Sequence, residues 1–251
     1  MNRKQLAIKA AKEVGKLLMN NLGKVKKVKE KAKNSLVSNV DLEAEKIIEN
    51  LIKKHFPNDS ILSEEEASTA KKSDYKWVID PLDGTHNYLR NQPHFGVSIG
   101  LEYKGEIVFG VINLPFFNEI YAAEKGKGAF LNNKKIKVSN RDLANAYINF
   151  DGNLYKETKR KTDALRKIAK KTFQTRITGC AVVNGTSVAN GNLDAHIAFN
   201  TKPWDVAVGF LLIKEAGGKV TDFDGKEANH YTKEFVTTNG RIHDRILKLI
   251  K

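Results

Sequence analysis

The stretch WVIDPLDGTHNY, Trp77 to Tyr88, runs three apolar residues straight into two aspartates and then adds a Gly-Thr step. Trp77-Val78-Ile79 reads as a short buried strand. Asp80 then sits at the strand's C-terminal mouth, where open α/β sheets place ligands. Pro81 lacks the amide that a ladder needs, so the spacing predicts an immediate bend that lets Asp83 fold back toward Asp80. Asp, Pro and Gly are also ordinary turn residues, and Asp side chains bond their own backbone. A turn accounts for the glycine but less well for the pair of charges. Two carboxylates this close repel and raise each other's pKa unless a cation lies between them. A hard divalent ion such as Mg²⁺ suits such oxygen ligands, and the stretch is read as a metal site.

Composition bounds the rest. A chain of 251 residues can form one large domain or two intimate subdomains, and 41% apolar content is clear of disorder. No apolar run approaches the roughly 18 residues of a membrane span. The start, MNRKQLAIKAAKEVGKLL, has lysines where a signal peptide has its apolar block. The single cysteine, Cys180, precludes an internal disulfide and fits a reducing cytosol. A cytoplasmic location without membrane attachment is expected. The formal net charge of +14 is concentrated in GKVKKVKEKAKN and YKETKRKTDALRKIAKKTFQTR. Neither run interleaves aromatics as single-strand binders do. The second carries Leu165, Ile168 and Ala169 at helical spacing, so its lysines read as the solvated face of an amphipathic helix rather than a nucleic-acid footprint.

Helical periodicity covers Leu6 to Leu18, closed by Gly23, and Ala44 to Ile52, stopping before Pro57. SILSEEE reads as a strand ending in acids. The segments FGVSIGLEY, EIVFGVINLP, EIYAAEKG and GAFLNNKKIKV read as strands. YINF, the basic helix, the strand TRIT, a helix over 181–190, the strand LDAHIAF, a helix over 204–215, the hairpin GGKVTDFDGK, the strand EFVTTNG and a terminal helix follow. Strands and helices mix without strict βαβ alternation, which predicts a layered α+β sandwich. The expected division is 1–142, an N-terminal α+β subdomain with most of the metal ligands, and 143–251, a C-terminal α/β subdomain completing the site. The two pack as one unit, joined near Ser139 to Asn145.

Other acids stand at element ends: Glu64 and Glu65 after a strand, Asp41 and Asp205 at helix starts. Each alone suits a solvated loop or a helix dipole. Together with Asp80 and Asp83 they suit a multi-metal carboxylate site.

WVIDPLDGTHNY, with ILSEE upstream, PWDVAVG downstream, LVSNVD, GKGAFLNNKKIKVS and EAGGKVTDFDG, resembles the inositol monophosphatase family over nearly the whole chain. That family belongs to the Mg²⁺-dependent, Li⁺-sensitive phosphatases, which include fructose-1,6-bisphosphatases and nucleotide 3′-phosphatases. The resemblance implies a layered αβαβα sandwich and hydrolysis of phosphate monoesters by metal-activated water. It implies that Asp80 bridges two Mg²⁺ ions, that Glu64 and the Leu82 carbonyl complete the first, and that Asp83 and Asp205 hold the second. Thr85 with Glu64 would activate the attacking water, supported by Asp41, with Glu65 behind them. The amides of Gly84 and Thr85 would receive the phosphate, and Gly179, Cys180 and Ala181 would form the substrate loop. A homodimer through the mid-chain region is also implied, with Phe109, Phe116 and Phe117 as apolar surface; plain core is the alternative for those three. The chemistry needs such groups, because phosphate monoester hydrolysis is among the slowest uncatalysed reactions and charge neutralisation is its main demand.

The chain departs from the family pattern at three places. Glu30, between Lys29 and Lys31, falls where a lysine is usual, and Ser35 replaces an aspartate, which leaves a third metal open. Ala198 replaces the glutamate that accepts ring hydroxyls of inositol, while Lys202 brings a cation toward the same rim and His196 stands nearby in the chain. The expected activity is a broad one, on inositol monophosphate and also on a bisphosphorylated sugar or nucleotide such as fructose 1,6-bisphosphate or NADP⁺. Two rivals are weaker. TDFDGK has the Asp222-x-Asp224 spacing of haloacid-dehalogenase-type phosphatases, but in a hairpin and with lysine in place of threonine. A basic nucleic-acid-binding protein on a dead phosphatase fold would not need all six acids and Thr85. No GxxxxGK[ST] or GxGxxG loop is present.

Overall fold

Helix α1 (Arg3–Asn21) begins at a reciprocal cap, in which the Asn2 side chain accepts from the Gln5 amide and the Gln5 side chain accepts from the Asn2 amide. Its buried stripe is Leu6, Ala7, Ala10, Ala11, Val14 and Leu18. This computed structural model describes residues 1–32, 35–65 and 69–251, without the side chains of Ala32 and Ser35. The expectations placed on the Ser35 side chain and on Glu66 lie outside the described residues. The first basic run is exposed from Lys26 to Lys31, and part of it forms β1 (Val28–Ala32), which pairs antiparallel with β2 (Ser35–Ser38). Helix α2 (Asn39–His55) follows, capped by Ser38.

A seven-stranded sheet comes next, in sequence order: β3 (Ser60–Ser63), β4 (Tyr75–Asp83), β5 (Gly96–Tyr103), β6 (Glu106–Leu114), β7 (Glu119–Glu124), β8 (Gly128–Leu131) and β9 (Lys134–Lys135). Only β3 and β4 run parallel. The short helix α3 (Thr85–Leu89) interrupts after β4, and a 3₁₀ turn, Pro115–Phe117, after β6.

The later half alternates: β10 (Tyr147–Phe150), α4 (Thr158–Ala169), β11 (Gln174–Arg176), α5 (Ala181–Ala189), β12 (Ala195–Ala198), α6 (Pro203–Glu215), β13 (Lys219–Asp222), β14 (Phe235–Thr238) and α7 (His243–Ile250). Its five-stranded sheet has the order β11-β10-β12-β14-β13, parallel from β11 through β12 and antiparallel beyond.

Three apolar clusters define five layers. One lies between α1/α2 and the larger sheet, a second holds α5 and α6 between the sheets, and the third packs α4 and α7 on the smaller sheet. The expected α+β layered sandwich is the fold observed. Helices α5 and α6 approach backbone to backbone at Gly185 and Gly209, where an added Cβ on Gly185 would stand 3.0 Å from the Gly209 Cα. Helix α6 is apolar nearly all round, as a helix between two sheets must be.

Helix α4 differs from the sequence expectation. Its buried residues are Lys161, Ala164 and Ile168, while Ala169 is exposed. The ammonium of Lys161 goes inward because the Asp151 carboxylate waits there, 2.7 Å away.

Helix α7 is anchored by His243, whose ring nitrogens lie 2.8 Å from the Thr221 hydroxyl and 2.9 Å from that of Thr238. Burial, with Lys219 nearby, pulls its pKa down to about 4. Its folded value lies below the unfolded value of about 6.5. Its contribution to stability is therefore present above that value and lost as pH falls toward 4. An NMR titration should find the His243 ring neutral at pH 5.5, with a midpoint about 4; a midpoint at 6.5 or above rejects this account.

Candidate functional site

Strand β4 does not end at Ile79, and Pro81 does not break it. Pairing with β5 runs through Asp80↔Ser98 and resumes at Asp83↔Gly96, so Pro81 and Leu82 occupy a bulge. A bulge tolerates a residue without an amide proton. It leaves Asp80 and Asp83 on one strand but re-aims the chain between them. Asp80 is 1% exposed. Its Oδ1 accepts from the Leu82 amide at 3.1 Å, whereas Oδ2 is buried with no hydrogen-bond partner. Burial, followed by the charges of Glu64, Asp83, Asp205 and Asp41, pushes its pKa well above the ordinary carboxylate range. Five of the six acids expected from the sequence are therefore neighbours in space.

Each neighbour is held by the start or end of an element. Asp41 is the third residue of α2 and accepts from the Ser38 amide at 2.9 Å, completing a capping box. Its other oxygen receives the Thr85 hydroxyl at 2.9 Å, and that hydroxyl also lies 3.0 Å from the Leu82 carbonyl oxygen. Burial raises the Asp41 pKa against these hydrogen bonds. Asp205, third in α6, receives the Lys202 amide at 3.0 Å, and burial and Asp83 raise its pKa well above normal. Asp83 accepts from the Val182 amide at 2.7 Å and from the Cys180 thiol at 3.0 Å. Burial takes Asp83 up to about 6 despite these donors. Cys180 and Val182 open α5, so Asp83 ties the larger sheet to the later half of the chain.

Lys31 of β1 reaches Glu64 at 3.0 Å and Glu65 at 2.6 Å. Burial raises Glu65 to about 7, with the Lys31 hydrogen bond opposing. Of the three residues around the family's lysine position, it is Lys31 whose side chain meets these acids.

Gly84 precedes α3 with φ +83°, and a Cβ there would come within 2.5 Å of the His94 carbonyl oxygen, so glycine alone fits. Asn87 of α3 donates to the carbonyls of His94 and Thr178, both at 2.9 Å, and so fixes the segment leading to Gly179, Cys180 and Ala181. Ala198 is buried at the end of β12, and Lys202 is exposed just before α6. His196 is buried against Phe235 and Asn184, and burial lowers its pKa to about 4. It is a packed strand histidine. Sequence reading missed the Cys180 and Val182 donors to Asp83 and the Asn87 bond to Thr178, contacts that join residues more than 90 positions apart. The Ser38 cap was available in it, as serine three residues before Asp41.

Among the described residues, no three His, Cys, Asp or Glu side chains close in metal-ligand geometry; Asp83 and Asp205 are turned onto protein donors. What remains is a buried surplus of negative charge and the unpaired Asp80 Oδ2. An oxygen-only donor set of this kind fits a hard cation.

Sequence and structure comparisons agree. The model of the inositol monophosphatase family matches residues 2–251. A Thermotoga maritima protein named fructose-1,6-bisphosphatase/inositol-1-monophosphatase is 38% identical over 258 residues, covering 100% of this chain and 96% of the relative. The crystal structure of the extragenic suppressor protein SuhB from Bartonella henselae is 34% identical with a TM-score of 0.95, over 98% of this chain and 97% of that one. An IMPase/NADP phosphatase complexed with Mg²⁺ and phosphate is 26% identical with a TM-score of 0.86, over 98% and 93%. With its acids gathered at the ends of β3, β4, α2 and α6 and its whole length matched, the chain belongs to the inositol monophosphatase family.

Proposed function

We propose that this protein is a Mg²⁺-dependent phosphomonoesterase acting on small phosphate esters. The observation that carries the reading is the Asp80 carboxylate, buried among four others with one oxygen lacking any donor. Burying such a group unpaired is costly unless a cation completes it. Asp80 would lie between two ions, with Glu64 and the Leu82 carbonyl on one and Asp83 and Asp205 on the other. When bound, Mg²⁺ neutralises the phosphate and lowers the pKa of water. The relative solved with Mg²⁺ and phosphate supports that choice of ion.

The protein's own part follows from its hydrogen bonds. The Thr85 hydroxyl donates a hydrogen bond to Asp41, which leaves its lone pairs to accept from a water that Glu64 would also border. Asp41, with a raised pKa, is suited to accept the proton relayed from that water through the hydroxyl. The amides of Gly84 and Thr85 would take the phosphate oxygens. Li⁺ competes for the weaker cation position in this reading. The buried, unbridged Cys180 suits a reducing compartment, and no helix among the described residues is long and apolar enough to cross a membrane.

Phe116 and Phe117 are 45% and 42% exposed, whereas Phe109 belongs to the core. The two exposed rings stack edge-on near Phe95 and His94. They form the patch through which a homodimer would associate.

Four measurements test these readings. Phosphate release should need Mg²⁺, stop with EDTA and fall on adding Li⁺ at limiting Mg²⁺, and Asp80→Asn should lower kcat/KM by about 10³-fold or more. In EDTA the same variant should melt a few degrees higher than wild type, because it removes a repelled buried charge, and it should lose the stabilisation that Mg²⁺ gives wild type. Near-wild-type turnover by folded Asp80→Asn, or a lower melting point in EDTA, sinks the metal role. A substrate panel should show inositol 1-phosphate, fructose 1,6-bisphosphate and NADP⁺ all cleaved, since Ala198 offers no charged acceptor to ring hydroxyls; a preference for inositol 1-phosphate above about 100-fold contradicts this. Light scattering should give a dimer for wild type and a monomer for Phe116→Asp, and a monomeric wild type at micromolar concentration rejects the patch.

A further inference from the structure

We propose that the buried Lys161–Asp151 ion pair is a positioning device for the side of the site that receives the substrate's alcohol portion; this rests on the phosphatase reading above. The Lys161 side chain is 1% exposed. Its Nζ donates to Asp151 Oδ2 at 2.7 Å and to the Asn153 carbonyl at 2.9 Å. The Asp151 Oδ1 accepts the Asn153 amide at 2.9 Å, and Oδ2 accepts the Phe199 amide at 3.3 Å. One ion pair thus gathers the end of β10, the 151–153 loop and the residue that follows Ala198.

That loop lies against the segment assigned to substrate contact. A Cβ placed on Gly152 would stand 3.4 Å from Ile177 Cγ2 and 3.7 Å from the Gly179 Cα. Beyond Gly179 the chain is committed, because Cys180 and Val182 hold the Asp83 carboxylate. Thr178 is fixed on its other side, its hydroxyl donating to Asn184 Oδ1 at 2.6 Å and its carbonyl receiving Asn87. The 151–153 loop is therefore the outer wall behind Gly179, and Lys161 is what holds it there. An apolar residue would fill the same face of α4 with less desolvation; only a charge can tie the loop backbone and Asp151 at one point.

The test compares Lys161→Met, Asp151→Asn and the double variant on inositol 1-phosphate and on p-nitrophenyl phosphate with Mg²⁺. The polyol ester needs the outer wall; the flat aryl ester draws on the phosphate contacts. The double variant should raise KM for inositol 1-phosphate about tenfold with kcat within about threefold, while KM for the aryl ester moves less than about twofold. Lys161→Met alone should be worse than the double variant, since removing the stranded Asp151 charge rescues it. Gly152→Val, in an exposed loop, should reproduce the KM effect with no ion pair disturbed, and carries the test if the pair variants fail to fold. Equal KM changes on both esters, or none in either the double variant or Gly152→Val, overturn the proposal while leaving the phosphatase reading intact. Absence of Mg²⁺-dependent turnover of either ester by wild type overturns that reading, and this proposal with it.

Discussion

Everything around the site answers to one unfavourable fact: the Asp80 carboxylate is out of water, close to four like charges, with an oxygen that no donor meets. Repulsion of this kind is sustained only where the surrounding framework over-determines it. Here the framework is β4 in the middle of the packing, flanked on one side by the α1/α2 layer and on the other by α6. The bulge at Pro81 and Leu82 presents the second aspartate without ending the strand. Stability and chemistry pull in opposite directions at this point, as they commonly do in active sites.

Several acids do two jobs. Asp41 caps α2 and receives Thr85; Asp205 holds the first turn of α6 and faces Asp83. Their capping role and the site role proposed for them are therefore compatible. A helix start holds the carboxylate's backbone on a rigid element, as a precisely built site requires. Among the described residues, Lys31 and Lys202 are the cations that reach this group, so a strongly basic protein keeps an acidic centre.

The layered fold was legible in the sequence because its periodicities are strong: the α1 and α2 stripes, the alternating strands after Tyr88, and the apolar α6. The candidate site was legible at Asp80 and Asp83 through proximity in sequence, and at Asp41, Glu64 and Asp205 mainly through family motifs. Three features were not readable. The first basic run becomes strand β1 by pairing with β2, and strand pairing is decided by the partner rather than by the run itself. Pro81 stays within β4 because a bulge absorbs it. Lys161 turns inward because Asp151 lies ten positions earlier, just past the end of β10. Spacing within α4 places Lys161 on the buried face but gives no sign of its counter-charge.

Helix α6 covers the inner face of the larger sheet, touching β4 through β8, and yet it lies some seventy residues after that sheet is complete. On the ribosome, at roughly 5–20 residues per second, the sheet would wait on the order of ten seconds before its apolar cover is even synthesised. During that interval the face that later meets Val208 and Leu212 is open, with the α1/α2 side already able to close. The nascent chain is thus for a time a half-covered sheet with an open apolar side, and the acids cannot gather until Asp205 emerges.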